Sequence, residues 1–340
     1  MRIGVLTTSY PRDGEDPAGA FVAGFTRWLA ERAEVEVLCA GESPLFYRGG
    51  APLALRGPGG WVEALRFSAR LLAAAARRVR RWDALVTHWL VPSGVVGRAI
   101  GGKRPHLAVA HGSDVRLLER LPGGRRLVRQ IAAGSDLVYV AEHLMVDGAP
   151  GRVVPMGVDV AAWRGGDRAS ARRALGLNGF TVLFLGRLIH DKGADRAIDA
   201  LPDGVELLIA GEGPERAALQ ARAASQASAR GRLARCVRFL GEVRGAQKRD
   251  LLAAADALVV PSRLDGAPTV IAEAWSAGLP VVELSELAQL RDQPERLRRL
   301  AMEAAARAAA CDWSAIGPRL GAHLDLPEAR GTRRVEVTRV

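Results

Sequence analysis

The sequence predicts an α/β protein made of two Rossmann-like domains, each with a doubly wound parallel sheet. Short apolar runs alternate with helical segments along the chain, and this order implies right-handed crossovers between parallel strands. The chain has 340 residues and 49% hydrophobic content, which is enough for two domains of ordinary size. Gly157, Gly165 and Gly166 interrupt the regular pattern near the middle, so we expect the domains to be joined there.

The predicted elements follow the apolar runs in chain order. In the first half, strands are predicted at 2–7, 35–39, 84–87, 107–110 and 137–140, and helices at 20–32 and 61–82. In the second half, strands are predicted at 181–185, 206–210, 237–240, 257–260 and 281–282. Valine and leucine are frequent in these runs, as they are in strands that a parallel sheet buries on both faces. The predicted domains are therefore 1–160 and 177–311, with a hinge at 161–176.

Four short signatures stand in a fixed order within residues 181–282. They are Leu185-Gly186-Arg187 with Lys192-Gly193, Gly211-Glu212-Gly213-Pro214, Pro261-Ser262-Arg263, and Asp265-Gly266-Ala267-Pro268 followed by Glu273. Together they resemble the donor-binding half of a family 4 glycosyltransferase, an enzyme that takes a sugar from a nucleotide diphosphate. The resemblance implies the GT-B fold, in which two Rossmann-like domains face each other across a cleft. It also implies a retaining transferase.

Arg187 and Lys192 are the candidate ligands of the donor's diphosphate. Gly186 ends a predicted buried strand, so Arg187 should emerge at the carboxyl edge of the sheet, where open α/β sheets bind ligands. A guanidinium fork and a lysine point charge can stabilise a leaving diphosphate in place of a metal ion. The sequence has no Asp-x-Asp pair and no His/Cys cluster. We therefore expect a nucleotide-sugar co-substrate and no metal or other cofactor, although both residues could also be ordinary surface charges.

The paired acids of the fourth signature are Asp265 and Glu273. Gly266 and Pro268 predict a loop after Asp265, and a helix that begins near Pro268 would point its free N–H groups at an anion. The resemblance implies that Glu273 binds the ribose and that Asp265, as a catalytic residue, contacts the sugar. It also implies that Gly266, Pro268 and Thr269 belong to the donor site. The family usually has glutamate where Asp265 stands, and a turn or cap role is the alternative for this aspartate.

The first half contains four further candidates. Gly19 lies between the first strand and helix, where the resemblance implies a glycine loop close to the donor phosphate. His111 and Asp114 lie in His111-Gly112-Ser113-Asp114, which resembles the family's histidine-glycine-x-aspartate motif. The resemblance places His111 against the reacting sugar as a catalytic residue, while His88 and Asp114 are assigned to the acceptor. The alternatives are a structural histidine and an aspartate that caps the following helix.

The second domain departs from the family after Val282. The resemblance implies a glycine-pair and glutamate segment, a further strand and a helix, whereas Glu283-Leu284-Ser285 leads almost at once into a helical pattern. The second domain is therefore expected to be shortened. Residues 312–326 resemble the family's closing helix, which crosses back onto the first domain, and 327–340 are interpreted as a tail.

Composition limits the location and the partners. The net charge is +11, but basic residues are spread over both halves, so no nucleic-acid partner is expected. Cys39, Cys236 and Cys311 lack the spacing of a metal site and suit reduced thiols of a cytoplasmic protein. The first residues are interpreted as a strand rather than a leader, and no uncharged apolar run is long enough to span a membrane.

Residues 61–82 form a basic, amphipathic segment. The segment ends in Arg77-Arg78-Val79-Arg80-Arg81-Trp82 after a leucine-rich stripe. Such a helix can lie on an anionic membrane surface, which would suit an enzyme with a lipid-linked acceptor. The alternative is an ordinary helix that covers the first sheet and keeps its arginines in water.

The sequence thus predicts a retaining, metal-independent glycosyltransferase with a nucleotide-sugar donor and a hydroxyl acceptor. The acceptor could be a polysaccharide, a lipid-linked glycan or a small metabolite. Two alternatives stay open, a non-catalytic homologue that only binds the nucleotide sugar and an epimerase on the same fold, which would need acid and base groups at the sugar.

Overall fold

The chain forms two compact units, each built on its own parallel sheet. The computed structural model describes residues 1–41, 58–230, 237–263 and 268–340. One unit contains Met1–Gly157 and Trp313–Val340, and the other contains Val158–Asp312. The predicted α/β class with two doubly wound parallel sheets is confirmed.

In its described part, the first unit has a parallel sheet of seven strands in the order β12-β2-β1-β3-β4-β5-β6. The strands are β1 (Arg2–Thr7), β2 (Glu34–Cys39), β3 (Ala84–His88), β4 (His106–Ala110), β5 (Asp136–Tyr139), β6 (Arg152–Val153) and β12 (Val335–Arg339). The helices are α1 (Ala20–Ala30), α2 (Pro58–Arg78), α3 (Val95–Ile100), α4 (Ser113–Arg120), α5 (Gly124–Ala132) and α14 (Trp313–Leu320). The strand order reverses between β1 and β3, so the loops after these strands border the crevice where open α/β sheets bind ligands.

The second unit has five strands in its described part, in the order β11-β10-β7-β8-β9. The strands are β7 (Phe180–Leu185), β8 (Val205–Ala210), β9 (Val237–Gly241), β10 (Ala257–Val259) and β11 (Val281–Val282). The helices are α6 (Val160–Trp163), α7 (Arg168–Leu175), α8 (Ala194–Asp199), α9 (Arg216–Arg230), α10 (Gly245–Ala254), α11 (Thr269–Ser276), α12 (Leu287–Arg291) and α13 (Pro294–Ala308). Here the order reverses between β7 and β10, which makes the loops after β7 and β10 the expected ligand site.

Residues 327–340, predicted to be a tail, contribute the edge strand β12. Val335 pairs with Val35 and Arg339 with Cys39 in a parallel register. The guanidinium of Arg339 also donates hydrogen bonds to the carbonyl oxygens of Tyr10 and Pro11. An edge strand is only half-buried and needs no continuous apolar run. The pattern Val-Glu-Val-Thr-Arg therefore gave a weak strand signal.

The predicted hinge at 161–176 holds parts of two helices of the second unit. Helix α6 begins after Asp159 and α7 after Asp167, and each aspartate accepts a backbone N–H of the first turn. Arg168 and Arg172 of α7 both form ion pairs with Asp256. The unit boundaries fall instead at 157/158 and 312/313. The glycines at 165 and 166 interrupt only the short link between the two helices.

Helix α2 packs one face on the first sheet through Phe67 and Leu71, which are buried. The indole N–H of Trp82, just beyond the helix, donates to Glu36 at 2.8 Å, and the guanidinium of Arg78 contacts the same carboxylate. Trp82 is 2% exposed, so this tryptophan belongs to the core and cannot be a membrane anchor. Within the described ranges, no helix has the length and apolar character needed to cross a membrane.

Candidate functional site

The loop that carries Arg187 lies at the carboxyl end of β7, next to the loop that follows β8. The backbone N–H of Gly186 donates to the carbonyl of Ala210, and that of Leu188 donates to the carbonyl of Glu212. Gly211 has φ +146°, and a Cβ there would come within 1.9 Å of the Gly186 carbonyl oxygen. The glycine therefore allows two backbones to touch, and Arg187 projects from a fixed loop to the protein surface.

Lys192 lies on the same edge and is held by the segment that follows β10. A Cβ at Gly193 would lie 2.2 Å from the carbonyl oxygen of Pro261, and Gly193 has φ +71°. The backbone N–H of Arg263 donates to the carbonyl of Asp191. The guanidinium of Arg263 also holds the Asp195 carboxylate at 2.6 and 2.8 Å. This pairing lowers the pKa of Asp195 and ties the Pro261-Ser262-Arg263 signature to the Lys192 loop.

Glu273 is buried on α11 and forms an ion pair that the sequence did not reveal. Its Oε2 atom lies 2.6 Å from Nζ of Lys248 on α10. The ammonium also lies 4.6 Å from the ring centroid of Trp163. Among the described residues, only Lys248 neutralises this carboxylate. The lysine therefore holds the position of the Glu273 carboxylate. The sequence contains one signal that could have drawn attention to Lys248: it is one of only three lysines among the 48 basic residues.

Pro268 and Thr269 lie where the fourth signature predicts a helix to start. Pro268 precedes the first turn, and Thr269 is the first residue of α11. The predicted catalytic Asp265 and donor-binding Gly266 lie outside the described residues. On the second unit, the structure thus places Arg187, Lys192 and Pro268 in the loops that border the strand-order reversal, with Thr269 at the start of the helix that follows.

Gly19 of the first unit lies at the end of the loop after β1, also at a strand-order reversal. It has φ +70°, and a Cβ would lie 2.4 Å from the carbonyl oxygen of Ser9. The buried carboxylate of Asp16 accepts the backbone N–H groups of Arg12 at 2.9 Å and Ala18 at 3.0 Å. The Asp16 carboxylate therefore fixes the backbone of this loop. At position 19, only glycine fits without strain.

His111 and His88 form a hydrogen-bonded pair behind this loop. Nδ1 of His88 lies 3.0 Å from Nε2 of His111. Burial lowers the pKa of His88 to about 3 and lowers that of His111 well below its usual value. Both imidazoles are therefore neutral near pH 7. His88 is fully buried, so it supports His111 rather than contacting an acceptor, which corrects its predicted role.

Asp114 is also buried and joins the loops after β3 and β4. Its Oδ2 accepts the backbone N–H of Leu90 at 2.7 Å, and its Oδ1 accepts that of His111 at 3.1 Å. Burial raises the pKa of Asp114, while these bonds act in the opposite direction. Both oxygens are committed to the backbone of the protein. Asp114 therefore anchors the His111 loop, and acceptor binding by Asp114 stays a prediction.

Trp89 is a site residue that sequence reasoning missed. Its ring centroid is 4.6 Å from that of His111, and Phe21 packs on the same histidine at 4.9 Å. Trp89 has φ +67°, which is rare for a bulky side chain and costs energy. The strain is tolerated where the chain turns sharply after β3 to place the indole over His111.

Among the described residues, no group of three histidine, cysteine, aspartate or glutamate side chains could hold a metal ion. The expectation of metal-independent chemistry remains a prediction. In the second unit, the groups arranged at the sheet edge are two cationic side chains, with a buried carboxylate on the adjoining helix. In the first unit, they are a neutral histidine pair and a glycine loop.

Comparison with known proteins identifies similar sequences. The family model for glycosyl transferases group 1 matches residues 179–306. The chain is 28% identical over 254 residues to a putative teichuronic acid biosynthesis glycosyltransferase, TuaC of Bacillus subtilis, with 70% of this chain and 61% of TuaC covered. It is 30% identical over 269 residues to a GDP-mannose-dependent monoacylated alpha-(1-6)-phosphatidylinositol monomannoside mannosyltransferase of Corynebacterium glutamicum, covering 63% of this chain and 68% of that protein.

Solved structures show the same fold. HepE of Anabaena, in complex with UDP-glucose, has a TM-score of 0.70 at 19% identity and covers 95% of this chain and 99% of its own. WaaG, a glycosyltransferase involved in lipopolysaccharide biosynthesis, has a TM-score of 0.62 at 18% identity, with 95% and 100% covered. At these identities the likeness shows the fold alone. It confirms the predicted GT-B class.

Proposed function

Because this chain belongs to the group 1 glycosyl transferases, we propose that it moves a sugar from a nucleotide diphosphate to a hydroxyl acceptor with retention of configuration. The chain spans 61% of the length of TuaC. The proposed activity therefore rests on the site of this chain and not on the activity of that relative. The observation that carries the proposal is the placement of Arg187 and Lys192 on fixed loops at the strand-order reversal of the second unit.

These two cations suit a leaving diphosphate. Departure of the nucleotide leaves negative charge on the phosphate oxygens, and a preorganised cation stabilises charge that develops in the transition state. Backbone hydrogen bonds and glycine contacts fix the loops that carry these two side chains. We propose that they replace a metal ion, and that Glu273 binds the ribose through Oε1, which bonds no residue that the structure describes.

The first unit supports a role for His111 as a neutral contact to the sugar. Its pKa is lowered by burial and by His88, so it carries no charge that would repel a developing oxocarbenium ion. In a retaining transfer with attack from the face that the nucleotide leaves, the departing phosphate accepts the proton of the acceptor hydroxyl. No enzymic nucleophile is then required.

We further propose that the acceptor is lipid-linked and that the enzyme works at an anionic membrane surface. Beyond its buried face, α2 exposes Trp61, Leu65 and Leu72 at 41, 69 and 41%. Residues 61, 65 and 72 share one side of the helix, and the exposed Arg66, Arg70 and Arg77 repeat the same spacing five residues later. Five residues turn a helix by about 140°, so the apolar row and the cationic row border the exposed face of α2 on opposite sides, and a helix with both can lie on an anionic bilayer surface. The Corynebacterium relative is named for a phosphatidylinositol monomannoside acceptor.

Ligand binding followed by turnover tests this function. Nucleotide diphosphates and their sugars should raise the unfolding temperature of the purified chain, because they bind the folded state. Positive ligands are then incubated with hydroxyl acceptors, and release of the nucleotide diphosphate is measured. Release that depends on an acceptor supports the proposal. Binding without release supports a non-catalytic homologue, whereas conversion of the nucleotide sugar without an acceptor supports an epimerase. Absence of binding by any nucleotide diphosphate contradicts the proposal.

A further inference from the structure

The histidine pair contains a polar atom without a partner. Nε2 of His88 is buried and has no hydrogen-bond partner in the part of the chain that the structure describes. Phe25 lies edge-to-face with His88, but the ring centroids are 6.0 Å apart, which is too far for an N–H donor to bond to the ring. The other nitrogen of His88, Nδ1, is bonded to His111. His88 therefore has one bonded and one unbonded nitrogen.

Two proton arrangements are possible for neutral imidazoles, because each ring carries one N–H. If His111 donates from Nε2, the proton of His88 must sit on the buried Nε2 and has no acceptor. If His88 donates from Nδ1, its Nε2 keeps only a lone pair and no N–H group is stranded. A buried donor without an acceptor is rarer in proteins than an under-used acceptor. The second arrangement is therefore favoured.

We propose that His88 is a positioning residue that sets the tautomer of His111, holding the His111 proton on Nδ1. In this arrangement Nδ1–H of His88 donates to Nε2 of His111, and the Nε2 lone pair cannot accept a proton from a substrate. Nδ1 of His111 bonds no described residue, so its N–H is available to an oxygen atom of a ligand. His111 is then a neutral hydrogen-bond donor and not a general base.

The consequence for the ligand rests on the proposed function. A neutral hydrogen-bond donor suits a hydroxyl group or another oxygen of a sugar, because these oxygens can accept a hydrogen bond. It disfavours a group that can only donate hydrogen bonds. Trp89 and Phe21 pack on the His111 ring and limit its rotation. The orientation of Nδ1 is thus fixed by packing, while its protonation is fixed by His88.

The tautomer can be measured without any substrate. In the full chain labelled with ¹⁵N-histidine, two-bond ¹H–¹⁵N correlations at pH 7 distinguish protonated from unprotonated ring nitrogens. His111→Gln removes one of six histidine signals and so assigns it. We expect a protonated Nδ1 and an unprotonated Nε2 for His111. A protonated Nε2 in the wild-type protein overturns the proposal, whether or not the chain transfers a sugar.

Two variants separate this role from general packing. In His88→Asn, the side-chain amide can replace Nδ1–H as a donor, so the His111 tautomer should be kept. In His88→Leu, the donor is lost and the proton of His111 should redistribute between its two nitrogens. His106→Asn is the matched control, since His106 is buried on the neighbouring strand and bonds Thr87 instead. Equal signals of His111 in all three variants overturn the proposal. If His88→Leu fails to fold, the spectra of the wild-type protein and of His88→Asn still show which nitrogen of His111 carries the proton.

Discussion

Lys248 and Glu273 form a nearly buried ion pair, with the lysine 12% and the glutamate 11% exposed at the side chain and the charged atoms 2.6 Å apart. The two residues come from different helices, α10 and α11. The pair places the ammonium of Lys248 against Oε2 of Glu273 and leaves Oε1 outside this contact. Under the proposed ribose-binding role of Glu273, nucleotide binding should also depend on Lys248, a residue outside the four signatures.

Replacing Lys248 by Met should weaken nucleotide binding and lower stability. Removing one partner of a buried ion pair leaves an uncompensated charge and typically costs about 3–5 kcal/mol of stability. The Kd for a nucleotide diphosphate should rise by about tenfold, roughly 1.4 kcal/mol, if the carboxylate loses its orientation. Calorimetric titration and urea unfolding measure both effects. Lys103→Met, at an exposed lysine of the first unit, is the control, and equal nucleotide binding by the two variants would contradict the assigned role.

Replacing Arg187 or Lys192 by Ala should slow transfer more than it weakens donor binding. The charge on the diphosphate increases in the transition state, so the loss should amount to about 2–4 kcal/mol of transition-state stabilisation. Single-turnover rates with the donor identified by thermal shift give the measurement. The wild-type rate should persist after treatment with EDTA. A rate that disappears with EDTA and returns with manganese or magnesium would show that these cations do not replace a metal.

Gly193→Ala should disturb the Lys192 loop because the added Cβ meets the carbonyl of Pro261. Gly278 provides a matched control, since it has φ +73° but open space around its Cβ position. Gly278→Ala should cost only the left-handed backbone penalty, about 1–2 kcal/mol. Gly193→Ala should cost more and also raise the Kd for nucleotide diphosphate. Equal losses of stability in the two variants would mean that the close contact relaxes freely.

Acid should destabilise the first unit through its buried neutral histidines. Burial lowers the pKa of His106 to about 4 and that of His88 to about 3, whereas the unfolded chain titrates near 6.5. Between these values the unfolded state binds more protons, so stability is full above pH 6.5 and falls as pH decreases. Each group contributes about 1.4 kcal/mol per pH unit in its window. The raised pKa of Asp114 acts in the opposite direction.

The pH dependence can be assigned with one variant. His106→Asn removes one titrating group, so the unfolding free energy of the first unit should depend less steeply on pH between about 4 and 6.5. Urea unfolding followed at several pH values gives the slopes. An unchanged slope in the variant would show that His106 is not held neutral by the fold.

The exposed side of α2 should bind anionic vesicles. Each arginine near such a surface contributes about 1 kcal/mol, and salt screens the attraction. Sedimentation with phosphatidylserine vesicles should therefore show binding that 0.5 M salt reverses. Arg66→Glu with Arg70→Glu should abolish it, whereas the same charge change at Arg126 and Arg299 should not. Absence of binding to anionic vesicles at low salt, or equal binding by both double variants, would remove the membrane proposal.

The sequence was sufficient for the elements that depend on local pattern. The buried strands of both sheets were predicted within one or two residues, because continuous apolar runs bounded by glycine or proline specify them. Strand β12 was missed because its partly exposed residues lack such a run. The glycines at 165 and 166 suggest a hinge over 161–176 because they interrupt the pattern of two short helices, each capped by an aspartate.

The candidate site was only partly predictable because its partners are distant in sequence. The strand ends correctly placed Arg187 and His111 on loops at the sheet edges. The pairing of Lys248 with Glu273 and the burial of Asp114 depend on helix packing, which no local pattern encodes. His88 was assigned to the acceptor because a histidine at a strand end gives no sign of whether another ring covers it.

The discontinuity of the first unit imposes an order on biosynthesis. Its sheet needs β12, and its helix α14 inserts Trp313 against Gly24 and Phe25 of α1. The second unit, by contrast, is one continuous stretch, Val158–Asp312. On the ribosome, the second unit can therefore complete its folding while the first still exposes the edge of β2 and an open groove on α1. Nascent chains are most vulnerable to aggregation through that edge until residues 313–340 emerge.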